Sequence, residues 1–234
     1  GRMVLDGAVD PAVGDLERLV IQMAGFDSAL RAYLEWCLPQ SSCPFSGSVD
    51  GALSMIRQML DTVDAREFVA SDGRELDSAT VATGIILTLY SENSWPELST
   101  LFTQLRKNDA DTVFVYADAY NDRGYDGRYS GNSMEIYTSV ICNEGDLATD
   151  GVGTLDGIAQ IDEAAPTLGR YAAYDDYAVL DVVCSNWPYP VAELPATFTA
   201  AGAAPIMVIG TTNDPATPYA NAVALASQLS SGFL

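Results

Sequence analysis

The run Ala204-Pro205-Ile206-Met207-Val208-Ile209-Gly210 constrains the fold of this chain more than any other segment. Near-continuous apolar character over so few residues, closed by a glycine, reads as a strand of a parallel sheet buried on both faces. A second short run, Met3-Val4-Leu5, ends in the Asp6-Gly7 turn near the start of the sequence and reads the same way. Most of the sequence between them carries helical periodicity. The pattern predicts an α/β chain in which two buried strands flank a long helical body. In open α/β sheets, ligands and catalytic groups gather just past the carboxyl ends of the strands. Asp6 and Asp214 both occupy such positions. Asp214 also has a purely local reading, as a turn or helix-capping aspartate ahead of Pro215.

The helical body divides at punctuation residues. Apolar positions recur at helical spacing from Val13 to Leu34, with Gly25 expected to split the segment into two helices. The stretch from Trp36 to Gly47, broken by Pro39 and Pro44, reads as a loop. Leu53, Ile56, Leu60 and Val63 define one face of the next helix. A third runs from Leu76 to Tyr90 behind an Asp77 cap, and a fourth begins at Ser94-Trp95-Pro96-Glu97, where serine and glutamate can form a reciprocal capping pair. Helical period continues over Asp111–Tyr120, over Ile161–Val183 with a break at Pro166, and over Tyr219–Leu229. Residues 121–132 read as the most flexible stretch. Asp122 and Asp126 there are a weak match to a calcium loop, because Gly124 and Ser133 stand where ligands are needed. A tyrosine group (Tyr116, Tyr120, Tyr125, Tyr129, Tyr137) could stack a sugar or peptide ring, although scattered packing explains it as well.

Charge and absent residue types exclude several functions. Aspartate and glutamate number 32 against 11 lysines and arginines, a net charge of −21. Nucleic-acid binding rests on basic residues neutralising phosphates, so no nucleic acid is expected as partner. No apolar run has the roughly 20 residues of a membrane-spanning helix. The sequence holds no histidine, so neither a complete Ser-His-Asp triad nor a histidine-bound zinc site can be assembled within it. No metal or other cofactor is expected. The four cysteines form no Cys-x-x-Cys pair. They suggest two disulfides, Cys37–Cys43 and Cys142–Cys184, and an oxidising, extracytoplasmic setting. Four buried thiols in a cytosolic protein are the competing reading, and spacing alone does not fix the pairing.

These segments together resemble a known family. Arg2-Met3-Val4-Leu5-Asp6-Gly7-Ala8-Val9-Asp10-Pro11 is similar to the strand that follows the nucleophile elbow in secreted tripeptidyl-aminopeptidase-like (TAP-like) α/β-hydrolases. Trp36-Cys37 and Cys43-Pro44-Phe45 resemble the cysteine pair opening that family's helical cap, and Ile141-Cys142-Asn143-Glu144 resembles the return from cap to core. Cys184-Ser185-Asn186-Trp187-Pro188, the run to Gly210, and Asp214-Pro215-Ala216-Thr217-Pro218-Tyr219 resemble its carboxyl-terminal segment. The resemblance implies a partial α/β-hydrolase fold dominated by a helical lid. It divides the chain into a core strand at residues 1–14, a lid at 15–140 and a carboxyl-terminal core segment at 141–234.

The same resemblance implies a triad in chain order Ser, Asp, His, with Asp214 as its acid and Glu144 as partner for the free amino terminus of a peptide substrate. No Gly-x-Ser-x-Gly turn occurs, so the nucleophile and the histidine are expected outside these residues, and both ends read as cuts through a fold. The implied protein is a secreted or cell-envelope serine exopeptidase of which this stretch alone is inactive. Two rivals stand beside it: an esterase on the same scaffold, and an acidic, disulfide-stapled helical binding domain without catalysis.

Overall fold

The computed structural model describes residues 1–145, 151–191, 195 and 197–234. Helices occupy most of the chain: α1 Asp15–Cys37, α2 Val49–Ala65, α3 Ser78–Leu89, α4 Trp95–Leu105, α5 Ala110–Tyr120, α6 Ser133–Glu144, α7 Gly151–Ala164 and α8 Gly169–Ala173. A π-helical stretch, Tyr174–Val179, leads into α9 Leu180–Ser185, and α10 Tyr219–Gln228 follows the second strand. The strands are β1 Met3–Asp6, β2 Ile206–Ile209 and a short β3 Gly232–Phe233. They form one parallel sheet in the order β1-β2-β3, with Met3 opposite Ile206 and Ile206 opposite Gly232. The chain is therefore α/β, as the terminal apolar runs predict.

One apolar core unites the helices. Phe26, Leu30, Tyr33 and Leu34 of α1 meet Ile56 and Leu60 of α2, Ile85 of α3, Leu98, Leu101 and Phe102 of α4, and Val113 of α5, all nearly inaccessible to solvent. Burying each such large side chain contributes about 1.5–3 kcal/mol. Ile161 of α7 and Leu168 and Tyr171 around α8 belong to the same cluster, so the helical body continues past residue 140. Pro166 lies in the break between α7 and α8, where the sequence places it. Both disulfides form as expected. Cys37–Cys43 closes the loop after α1, and Cys142–Cys184 ties α6 to α9. Cys142 is the buried residue of an otherwise exposed α6, which makes this bridge its main anchor; closing a loop of such length contributes about 3–4 kcal/mol in chain-entropy terms.

Three expectations are corrected. Gly25 does not divide α1, which runs unbroken from Asp15 to Cys37; its missing side chain serves a tertiary approach described below. Ser94 does not cap α4 through its hydroxyl. It closes a 3-10 turn over Glu92–Ser94 and has near-helical backbone angles, and Ser91, in extended conformation, accepts from the Asn93 amide instead. The strands are not buried on both faces. Val208 packs with Ala222 and Leu225 of α10, whereas Met207 and Ile209 on the other face, and Met3 and Val4 of β1, remain substantially exposed. Among the described residues α10 is the helix that covers the sheet.

Polar joints lock the helices. Arg74 forms a two-pronged bond to Asp118 of α5 at 2.7 and 2.9 Å and stacks over Phe114. Asp27 of α1 accepts the backbone N–H groups of Thr167 and Leu168, both at 3.0 Å, and so fixes the α7–α8 turn. Burial pushes the Asp27 carboxyl above its ordinary value of 3.8, against the lowering effect of those N–H donors. A raised carboxyl pKa means its stabilising contribution is complete below about pH 4 and declines as pH rises through the folded-state value. Asp27→Asn should therefore gain stability relative to the parent between pH 4 and pH 7 in denaturant titrations, and a pH-independent difference would contradict this. Asp27→Ala, which leaves two N–H groups unpartnered, should cost about 1–3 kcal/mol.

Candidate functional site

Beyond Ile209 the chain turns through residues 211–218 and lies across α1. Gly210 sits so close to α10 that a Cβ there would fall 2.6 Å from that of Ala222, which sets the angle between strand and helix. Asn213 adopts a left-handed conformation (φ +61°) that asparagine tolerates in turns. Asp214 follows, half-buried. One of its carboxylate oxygens, Oδ1, accepts the backbone N–H groups of Ala216 and Thr217, both at 2.9 Å, and Oδ2 accepts the Thr217 hydroxyl at 3.0 Å. The local reading of Asp214 is thus realised as a turn. It is not the helix cap, because α10 begins after Pro218.

The loop is held from both sides. The Gln22 side-chain amide of α1 donates to the Ala216 carbonyl at 2.9 Å. A Cβ on Gly25 would stand 2.7 Å from the Pro215 carbonyl oxygen and 3.1 Å from the Pro218 ring. On the β1 side, Gly7 (φ +62°) donates its N–H to the Ile209 carbonyl and lies 3.3 Å, measured from a Cβ position, from the Thr217 hydroxyl. The carboxylate is consequently fixed in orientation, yet among the described residues Oδ2 makes one hydrogen bond where an ionised carboxylate oxygen can accept two.

Asp214 lines a cleft of about 760 Å³ between this loop, α1 and the α3–α4 junction. Small residues, Ser28, Ala29 and Ala32, form the α1 wall, and Tyr90 and Trp95 supply aromatic surface opposite. Its charged groups are Glu35, Glu92, Asp214 and Arg31. The Arg31 guanidinium is engaged by Asp50 at 2.9 Å, which leaves the cleft acidic. Its chemistry suits a cationic or hydrogen-bond-donating ligand, and a carboxylate anchored on backbone amides can orient an imidazole presented to it.

The sequence-derived site residues do not all meet there. Gly7 borders the cleft, but Asp6 does not. Glu144, exposed at the end of α6, lines a different groove of about 430 Å³ with Trp187 and Tyr189, and the two cavities share no residue. Tyr125 and Tyr129 project into solvent. No group of three or more acidic or cysteine side chains gathers as a metal site among the described residues. Glu35 and Glu92 escaped sequence reasoning because only the folded loop brings them beside Asp214. The one legible sign was Gly25, a glycine within a strongly periodic apolar helix.

Comparison with known proteins identifies similar chains. Residues 171–234 match the family model described as TAP-like protein. Carboxylesterase B of Mycobacterium tuberculosis is 36% identical over 228 residues, which cover 97% of this chain and 43% of that protein. Serine protease Hip1 of the same species is 33% identical over 239 residues, covering 99% of this chain and 45% of that protein. The chain thus spans less than half the length of these curated relatives.

Gly25→Ala should displace the 211–218 loop and cost about 1–3 kcal/mol, as overpacking does. Hydrogen exchange at the Ala216 and Thr217 amides, which the Asp214 carboxylate protects, should accelerate. Unchanged stability and unchanged exchange at those two amides would contradict the seating of the loop on α1.

Proposed function

We propose that this chain, whose residues 171–234 match the TAP-like family model, forms the lid and acid-bearing core of a serine exopeptidase that releases short peptides from free amino termini. Residues 1–14 supply the core strand after the nucleophile elbow, 15–140 the lid, and 141–234 the core segment, whose first part, around Ile161 to Tyr177, shares the lid's apolar core. The observation that carries this reading is Asp214, held at the carboxyl end of a parallel strand by three hydrogen bonds and bordering an open acidic cleft. The two disulfides support a secreted or cell-envelope setting.

The chemistry follows from what this chain holds and lacks. With no histidine and no Gly-x-Ser-x-Gly turn in the sequence, both the imidazole and the nucleophilic serine come from elsewhere in the protein. The Asp214 carboxylate accepts the imidazole Nδ1–H, fixes its tautomer and stabilises the imidazolium formed when serine attacks the scissile carbonyl. Recognition of the substrate's free ammonium group requires a carboxylate. The family resemblance gives this role to Glu144. A second reading is favoured by position, since Glu35 and Glu92 share the cleft with Asp214 and Glu144 does not.

Asp214→Asn in the full-length protein should lower kcat about 10⁴-fold toward a tripeptidyl substrate, the effect of losing the correct tautomer. Retained activity would remove Asp214 from the triad. Among Glu35→Gln, Glu92→Gln and Glu144→Gln, the amine-binding variant raises KM for free-amine substrates and leaves an N-acetylated or neutral ester substrate unaffected. Equal turnover of blocked and free substrates by the parent protein would favour the esterase.

A further inference from the structure

An ionised carboxylate offers about four lone-pair positions, two on each oxygen. At Asp214 three of these are filled among the described residues. Oδ1 takes the backbone N–H groups of Ala216 and Thr217, and Oδ2 takes the Thr217 hydroxyl at 3.0 Å. The two N–H bonds close the 214–217 turn by themselves, as an aspartate commonly does in a turn. The hydroxyl bond is an addition to that turn. Thr217 does not serve the following helix either, because α10 has no side-chain cap. Its hydroxyl is turned to the carboxylate, and a Cβ on Gly7 would stand 3.3 Å from the hydroxyl oxygen. The turn after β1 therefore backs the hydroxyl at the place where it meets Oδ2.

With one position of Oδ2 occupied, a single acceptor direction stays open on the carboxylate, and Asp214 and Thr217 both line the cleft. We propose that Thr217 is a positioning residue for the acid: its hydroxyl fills one acceptor position of Oδ2 and so fixes the one direction in which an imidazole Nδ1–H is received. This assignment rests on the reading of Asp214 as the triad acid. Without the hydroxyl, Oδ2 offers two directions about equally. An imidazole divided between them reaches the nucleophilic serine in only one, and displacements of about 1 Å cost on the order of 100-fold in rate. The loss falls on turnover, since the hydroxyl is committed to the carboxylate and holds no part of the substrate.

The test is steady-state kinetics of the full-length protein on a tripeptidyl substrate, paired with amide hydrogen exchange. Thr217→Val, which keeps the side-chain shape and removes the donor, should lower kcat roughly 10- to 100-fold, as loss of a hydrogen bond to a charged group implies, and leave KM unchanged. Thr217→Ser, which restores the donor, should recover most of that loss. Exchange at the amides of residues 216 and 217 should stay at the parent rate in Thr217→Val, because both are held by Oδ1. Should Thr217→Val fail to fold, Thr217→Ala removes the same hydroxyl without setting a methyl against the carboxylate and carries the same expectations. Parent-like kcat in Thr217→Val, beside an inactive Asp214→Asn, would overturn this assignment and leave the triad reading standing. Thr217→Ser as impaired as Thr217→Val, or accelerated exchange at the two amides in Thr217→Val, would overturn it too, by showing that the side chain merely holds the loop. Full activity in Asp214→Asn would overturn both readings together.

Discussion

At Gly25 the backbone of α1 approaches the Pro215 carbonyl so closely that no Cβ fits between them. The candidate site depends on this approach. It lets the loop after β2 lie flat on the longest helix, brings the Ala216 carbonyl to the Gln22 amide, and leaves Asp214 facing a cleft instead of bulk solvent. The acid is thereby positioned by the helical body as well as by the sheet that delivers it. Because α1 also provides much of the apolar core, the site rests on a helix anchored by buried side chains.

The elements were legible in the sequence where a single physical signal acted alone. Leu53, Ile56, Leu60 and Val63 give α2 through period, Asp77 gives the start of α3 through its bond to the Thr80 amide, and Pro166 gives the α7–α8 break by sterics. The cysteine pattern suggests both bridges without fixing the pairing, which the fold supplies. Reading failed where the same residue type serves two ends. Gly25 reads as a breaker because local entropy disfavours glycine in helices, but tertiary contact decided its use. Ser94 reads as a cap from its neighbours, yet the preceding 3-10 turn places its backbone outside capping geometry. An apolar strand reads as doubly buried, yet its cover is a tertiary matter, and Met207 and Ile209 lie uncovered.

The candidate site divides along the same line. Asp214 was visible as a polar residue past an apolar strand, a position that topology alone makes significant. Glu35 and Glu92 lie far from it in sequence and carry no local pattern. Glu144 came from family resemblance, and the fold puts it in a groove of its own with Trp187 and Tyr189.

The central claim is that the Asp214 carboxylate, with acceptor capacity left on Oδ2, receives the Nδ1–H of a histidine contributed by another part of the protein. The most direct measurement is the low-field proton NMR resonance of an imidazole hydrogen-bonded to a carboxylate, recorded on the full-length protein. The account predicts that this resonance is present and disappears in Asp214→Asn, and that Glu35→Gln and Glu92→Gln leave it in place. A resonance that survives Asp214→Asn would show that another carboxylate holds the histidine and would contradict the account.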